Sequence, residues 1–365
     1  MGAAESRIHR VVVADLGRMW GVTDGEHGPD DAVPERTWDG LPVARDEPHG
    51  AQVVVRRAAR PGGAQFEYLI LHRARRGARY EGDWAWTPPS GARLPGESVL
   101  SGALRELGEE SGLRVTDLQP VDLSGSWAVF IADVPPDTPV RVDAEHDRFE
   151  WLPATEAARR CLPESVAGTF MKAAALPALR ITFRPLARGD LPDLIAWMHA
   201  PHAVRWFYQD LDLPAAERKY GPRIDGTSPI RVHVVLVDGR PCGFLQHYRL
   251  PGDPGGRDTR RGSDQPPATA PPPGEPDAAG IDYLIGAREL TGKGVGPGMI
   301  WSYLRWVVLV ASPEVRQVVA SPEVANRRSI RALEKAGFAR VRQVAGEDPG
   351  RPEMLCVLDR RRVFG

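Results

Sequence analysis

The sequence predicts a mixed α/β chain of the α+β kind, arranged as two domains. Strand-like apolar runs alternate with stretches of helical periodicity along most of its length. At 365 residues it is long enough for two domains that each bury a core. Around Leu176-Pro177-Ala178 the pattern stops and restarts, which places the junction there. Residues 49–176 and 179–363 are the expected domains, preceded by a leader over residues 1–48. That leader holds one strand-like run, Val11-Val12-Val13, and is otherwise rich in Gly, Pro and Asp, which predicts irregular structure.

In the first domain, strands are expected at Gln52-Val53-Val54-Val55 and Tyr68-Leu69-Ile70-Leu71-His72. Gly91 then follows Trp86-Thr87-Pro88-Pro89-Ser90 and closes a rigid turn at which a backbone carbonyl can face a metal ion. A helix is expected next. Val99, Leu100, Ala103, Leu104 and Leu107 supply its apolar side, and Gly112 its C-cap. Glu106, Glu109 and Glu110 stand at i, i+3 and i+4 and so share the other face. Like charges so placed weaken a helix by a few tenths of a kcal/mol per pair, roughly, and a divalent cation reverses that sign. Clustered oxygen ligands suit Mg²⁺ or Mn²⁺, which bind carboxylates together with substrate phosphates. A further strand is expected at Trp127-Ala128-Val129-Phe130-Ile131-Ala132, another around Phe149-Glu150-Trp151, and one helical stretch from Ala154 to Ala175.

Residues 91–113 resemble the Nudix box, GX5EX7REUXEEXGU with U aliphatic. All nine specified positions match: Gly91, Glu97, Arg105, Glu106, Leu107, Glu109, Glu110, Gly112 and Leu113. Seven fixed letters recur by chance roughly once in 10⁸ starting points. The resemblance implies a Nudix α/β/α sandwich that hydrolyses a nucleoside diphosphate linked to another group. It makes Glu109 and Glu110 metal ligands, Glu106 a ligand or base oriented by Arg105, and Glu97 an assistant at the helix start. Glu145, in Ala144-Glu145-His146-Asp147, stands where several members carry an extra metal-binding or basic Glu, and His146 reads as a polar turn residue. Phe130 lies near where diadenosine polyphosphate hydrolases tend to have Tyr, and the proline spacing of ADP-ribose enzymes is missing.

The second domain opens with a strand, Leu179-Arg180-Ile181-Thr182-Phe183-Arg184-Pro185-Leu186, turning into a helix with Asp190 as N-cap and Pro192 in its first turn. Asp238-Gly239 predicts a hairpin between Val232-His233-Val234-Val235-Leu236-Val237 and Cys242-Gly243-Phe244-Leu245-Gln246. Across residues 251–279, 13 of 29 positions are Gly or Pro, too little apolar surface to fold alone, so a mobile insert is expected. A strand resumes at Ile281-Asp282-Tyr283-Leu284-Ile285-Gly286. Thr291-Gly292-Lys293-Gly294-Val295-Gly296-Pro297-Gly298 follows as a glycine-rich turn opening a helix. Exposed N–H groups at such a helix start suit a pyrophosphate. The Lys-Ser/Thr ending of a P-loop is absent, which argues against ATP binding by that route.

With Asn326 and a helix ending Glu334-Lys335-Ala336-Gly337-Phe338 downstream, residues 179–363 resemble the GNAT N-acetyltransferases. The resemblance implies a mixed-sheet domain using acetyl-CoA as co-substrate. Gly292, Lys293, Gly294, Val295 and Gly296 would cradle its pyrophosphate, and Asn326 would approach its pantetheine arm. Ala196-Trp197-Met198-His199, His202-Ala203-Val204-Arg205-Trp206, Gln246-His247-Tyr248 and Gly280-Ile281-Asp282 are similar to the aminoglycoside 6'-N-acetyltransferase branch. Acetyl transfer needs a neutral amine, so a carboxylate that holds the ammonium can accept its proton, and Asp282 is the base candidate. Trp206, Tyr220 and Tyr248 could line a polycationic pocket through stacking and cation–π contact, or equally pack the core, with Gln246 beside them. Leu333 stands where many members have a Tyr as general acid. Either the thiolate leaves without that donor or another group protonates it. Siderophore precursors and protein amines remain alternative acceptors, and a Nudix half that only binds a nucleotide for regulation remains an alternative to two activities, as does a GNAT half that only senses CoA.

The balance of 47 basic and 48 acidic residues, net −1, predicts no general attraction to nucleic acid or anionic membranes and leaves small molecules as the expected partners. Cys161, Cys242 and Cys356 have neither metal nor disulfide spacing and fit a reducing cytoplasm. The first residues lack a signal-peptide pattern, and no apolar stretch reaches membrane-spanning length.

Overall fold

The computed structural model describes residues 36, 40–60, 63, 65–206, 211–250, 277–346 and 350–365. The expected strand at Val11-Val12-Val13, most of the leader and residues 251–276 of the insert lie outside them. Two compact units emerge, one centred on Asp31–Ala178, the other on Leu179–Glu334 and Phe338–Arg360.

The first unit is built on a mixed sheet whose main path runs β3-β2-β1-β6-β5. Its strands are β1 (Gly50–Ala58), β2 (Phe66–Arg73), β3 (Trp86–Thr87), β4 (Ser90–Ala92), β5 (Gln119–Asp122), β6 (Trp127–Val134) and β7 (His146–Pro153). β1 and β6 pair in parallel over Gly50 to Arg57, and β4 and β7 attach to β1 and β2 as antiparallel partners. Helix α1 (Val99–Ser111) starts where the Ser98 hydroxyl accepts from the Ser101 N–H and stops at Gly112 in the left-handed region. Val99, Leu100, Ala103 and Leu107 are buried against the sheet, while Leu104 is only half-buried. The single helical stretch expected from Ala154 to Ala175 is instead two helices, α2 (Ala154–Arg160) and α3 (Glu164–Ala174). Pro163 separates them, since it has no N–H to continue the helix. Val166, Phe170 and Ala173 of α3 pack with Val54, Ile70, Trp86, Val129 and Ile131 on the sheet face that carries α2 and α3.

The second unit holds a seven-stranded sheet in the order β13-β14-β12-β11-β10-β9-β8. The strands are β8 (Ile181–Pro185), β9 (Arg231–Val237), β10 (Arg240–Arg249), β11 (Ala278–Ile285), β12 (Gln317–Ala320), β13 (Ala339–Val344) and β14 (Glu353–Asp359). Ala278 and Ala279, expected to belong to the insert, are the first residues of β11. Asp238 and Gly239 both take positive φ, 49° and 77°, as a two-residue hairpin between β9 and β10 requires. Helices α4 (Leu191–His199) and α5 (Leu213–Ile224) cover one face, burying Leu191, Leu194, Met198, Ala216 and Tyr220 against Val232, Val234, Phe244 and Leu284. Asp190 does precede α4, but its carboxylate does not cap the helix. It accepts from the Ala187 N–H and pairs with Arg184 at 2.6 Å, because a guanidinium is the stronger partner for a carboxylate. Helix α6 (Val295–Tyr303), prolonged through Leu304–Val308 and Leu309–Ala311, is followed by α7 (Arg327–Lys335) and the short α8 (Arg360–Val363). Among the described residues no helix is long and apolar enough to cross a membrane.

Candidate active sites

In the first unit, α1 carries its carboxylates past β4. Gly91 lies in that short strand, opposite Ala51 of β1, rather than only in a turn. The Glu106 carboxylate covers Gly91 so closely that a Cβ there would overlap it. Arg105 is threaded among the acids. It donates to Glu97 at 2.9 and 3.0 Å, to Glu106 at 2.8 Å, to Glu109 at 3.0 Å and to the Ala92 carbonyl at 2.8 Å. The Glu97 contact, foremost, raises the Arg105 pKa and keeps it charged. Burial works against the Glu97 charge, but the Arg105 hydrogen bond and the Leu94 N–H outweigh it and lower the Glu97 pKa. Glu106 goes the other way. Burial raises its pKa despite Arg105, and the charges of Glu109 and Glu145 push in the same direction. That last effect puts Glu145, which immediately precedes β7, in electrostatic reach of Glu106.

Glu110 is the most sequestered of the set at 4% exposure. It accepts from the Ser90 N–H at 2.7 Å, and the Arg73 guanidinium stands 4.0 Å away. Burial pushes its pKa up to about 8. Glu109 faces solvent, its side chain 59% exposed. The three acids of α1 are therefore not gathered on one point, and among the described residues no three His, Cys, Asp or Glu side chains already form a metal cage. Mg²⁺ needs none, since it keeps several waters and takes one or two carboxylates plus substrate phosphates. A buried carboxylate held neutral by desolvation first, and by the neighbouring Glu106 and Asp143 charges, is one that a divalent cation would ionise, so the donor set fits a hard cation.

Two residues beside this cluster carry more weight than their sequence context suggested. His146 is buried, with Nδ1 donating to Asp143 at 2.9 Å and Nε2 3.8 Å from Glu110 Oε1. It is an interior neighbour of the acids, not a surface turn residue. Arg73 at the end of β2 supplies the cation facing Glu110. An apolar strand ending in Arg gave no signal for that.

In the second unit, β10 and β11 lie side by side with Gln246 opposite Asp282 and Tyr248 opposite Gly280. Gln246 Nε2 donates to Asp282 Oδ2 at 2.7 Å. Arg223, from α5, donates to Gln246 Oε1 at 2.7 Å. The Arg223 guanidinium also lies 5.1 Å from the ring centroid of Tyr220. Tyr220 is thus buried in the core of the α4–α5 face. The Tyr248 ring covers Gly280, two residues along the strand from Asp282. Trp206 is half-buried beside the Arg205 guanidinium, 4.6 Å away. The structure brings together Gln246, Asp282 and Tyr248, with Tyr220 behind Arg223. Arg223 itself went unread, although it falls on the same helical stripe as Ala216 and Tyr220 at i+7 and i+3.

The glycine turn takes the form its residues predict. Gly292 and Gly294 have φ of 77° and 79°, and no side chain caps α6. The N–H groups of Val295 and Gly296 belong to its first turn, where an α-helix offers donors without internal partners. Lys293 is exposed beside them. Pairing of β11 with β12 covers only Ala278, Ala279 and Gly280, so the part of β11 that carries Asp282 has diverged from that neighbour. Asn326 accepts from the Ser329 N–H at 3.2 Å and so caps α7 through its side-chain oxygen. Leu333 is fully buried and offers no proton donor.

Two family models match. A NUDIX domain model covers residues 48–172, and an acetyltransferase (GNAT) domain model covers residues 187–345. An aminoglycoside N(6')-acetyltransferase type 1 of Klebsiella pneumoniae is 26% identical over 174 residues, 46% of this chain and 78% of the relative. The asymmetrical bis(5'-nucleosyl)-tetraphosphatase of Sus scrofa is 31% identical over 105 residues, 25% of this chain and 67% of the relative. A kanamycin resistance protein of Rhizobium radiobacter is 34% identical over 74 residues, 20% of this chain and 67% of the relative.

Proposed function

Because the chain belongs to both the Nudix hydrolases and the GNAT acetyltransferases, a hydrolase and an acetyltransferase in one polypeptide, we propose that its first unit cleaves a nucleoside-diphosphate-linked substrate and its second acetylates a small amine from acetyl-CoA. The similarity to a bis(5'-nucleosyl)-tetraphosphatase makes a dinucleoside polyphosphate the leading substrate of the first. The similarity to aminoglycoside acetyltransferases makes an aminoglycoside-like amine the leading acceptor of the second.

One observation carries the hydrolase reading: Glu106 laid over Gly91 and tied to Arg105, with Glu110 buried beside Ser90. The Gly91 carbonyl, Glu106, Glu109, Glu110 and Glu145 would hold Mg²⁺ or Mn²⁺, which would neutralise phosphate charge and help activate water. Arg105 fixes Glu106, whose raised pKa suits a group that accepts a proton from water. Glu97 in turn holds Arg105. The test is phosphate-bearing product from a bis(5'-nucleosyl) tetraphosphate with Mg²⁺. Glu106→Gln should lower the rate by about 10²-fold or more.

For the acetyltransferase reading the carrying observation is the Gln246–Asp282 pair on the stretch of β11 that has parted from β12. The N–H groups of Gly294, Val295 and Gly296 and the Lys293 charge would bind the cofactor pyrophosphate. Asn326 keeps its amide nitrogen for the pantetheine arm. Asp282 would hold the acceptor ammonium and take its proton, the neutral amine would attack the thioester carbonyl, and coenzyme A would leave as the thiolate, the nitrogen's second proton passing to that thiolate or to solvent. Tyr248 and Trp206 offer aromatic faces to a polycation, with Tyr220 acting behind them through Arg223. Free thiol released from acetyl-CoA in the presence of kanamycin measures this. A rate unchanged by Asp282→Asn contradicts the base assignment.

A further inference from the structure

The side chain of Gln246 stands between a cation and an anion. Arg223 Nη1 donates to its Oε1 at 2.7 Å, and its Nε2 donates to Asp282 Oδ2 at 2.7 Å. A guanidinium can only donate and an ionised carboxylate can only accept. With Arg223 on one side and Asp282 on the other, only one orientation of the Gln246 amide satisfies both. Its dipole then points from the cation to the anion, the arrangement in which charge-assisted hydrogen bonds reinforce one another.

Arg223 is itself held. It is 8% exposed, comes from the apolar stripe of α5, and lies over the Tyr220 ring at 5.1 Å. Gln246 and Asp282 are directly opposed on β10 and β11, so the strand register fixes their spacing. The relay thus connects a helix core position to the carboxylate through two side chains anchored in rigid elements.

We infer that Arg223 and Gln246 are positioning residues that set the plane of the Asp282 carboxylate for acetyl transfer, so that Gln246 serves the base rather than the substrate. This rests on the reading of Asp282 as the base. A misplacement of about 1 Å can cost about 10²-fold in rate, so removing either residue should cost about that much in kcat. The KM for acetyl-CoA should stay within about twofold, since neither residue is near the glycine turn in sequence or sheet register.

The experiment uses the full chain with acetyl-CoA and kanamycin, and compares Arg223→Met, Gln246→Leu, Asp282→Asn and the two double variants. Both single losses of kcat should vanish, to within about twofold, when Asp282 is already Asn. Arg223→Lys, which keeps a donor and a charge, should recover much of the rate. The Gln246 side-chain amide protons should resonate downfield in the wild type and move upfield in Arg223→Met. If Arg223→Met fails to fold, Gln246→Leu, at a half-buried strand position, cuts the same relay. Kinetic losses that multiply in full with Asp282→Asn, or a kcat untouched by Gln246→Leu, overturn the relay while leaving the base in place. A wild-type rate in Asp282→Asn removes the base, and an amide signal indifferent to Arg223→Met then removes the relay on its own evidence.

Discussion

Glu110 is the residue at which burial and charge oppose each other most strongly. Desolvation holds its pKa near 8, against the pull of Arg73 and the Ser90 N–H. At pH 7 the metal-free carboxyl is therefore mostly protonated, and a cation must displace that proton to bind. Mg²⁺ binding should release close to one proton at pH 7 and almost none at pH 9, with affinity rising between pH 6 and 8. Calorimetry in two buffers of different ionisation enthalpy measures this, and heats independent of buffer at pH 7 would rule it out. Gly91 makes a companion test. Its missing side chain is what admits the Glu106 carboxylate. Gly91→Ala should abolish hydrolysis and destabilise the first unit by about 1–3 kcal/mol through overpacking, read from activity and denaturant midpoint. At this scale the sequence was most informative where residues are spaced along one helix. Glu106, Glu109 and Glu110 could be seen to share a face, whereas Arg73 and Arg223 reach their partners across long sequence separations that no local pattern records.

Elements were legible where local chemistry decides them. The stop of α1 at Gly112, the Asp238-Gly239 hairpin and the Gly292–Gly294 turn follow from backbone preferences of the residues present. The parallel pairing of β1 with β6 and the attachment of β7 to β2 do not, because they depend on non-local packing. The break between α2 and α3 shows why periodicity alone misleads: the apolar stripe continues while Pro163 interrupts the backbone. Across β9, β10 and α6 a buried cluster makes a prediction of its own. The Tyr303 hydroxyl lies 2.9 Å from His233 Nδ1 and 2.7 Å from His247 Nδ1. A hydroxyl donates once, so one ring must accept and stay neutral there. Burial first, then the His233 and Arg231 charges, lower the His247 pKa to about 4. Because the unfolded chain takes up this proton near pH 6.5 and the folded chain only near 4, stability falls as pH drops through that window. The loss attributable to His247 is about 3 kcal/mol, fully present by pH 4. Denaturation of wild type and His247→Gln across pH 4–7 checks it: the wild type should lose more stability on acidification, and parallel curves would contradict the assignment.

On the scale of the whole molecule, the chain carries two sheets of different topology, each with its own core and its own polar cluster. Both family identities could be read from short motifs, because a nine-position box and a glycine turn followed by Asn326 keep their spacing whatever surrounds them. Substrate identity could not, because pocket residues are set by which side chains meet in space. Tyr220, a candidate pocket wall, proved to be core. The central claim is that one polypeptide performs two reactions at separate sites. The most direct test assays wild type, Glu106→Gln and Asp282→Asn side by side for Mg²⁺-dependent tetraphosphate hydrolysis and for kanamycin-dependent thiol release from acetyl-CoA. Glu106→Gln should lose hydrolysis and keep thiol release, and Asp282→Asn should do the reverse. Loss of both reactions in either variant, or of neither in both, would contradict the claim.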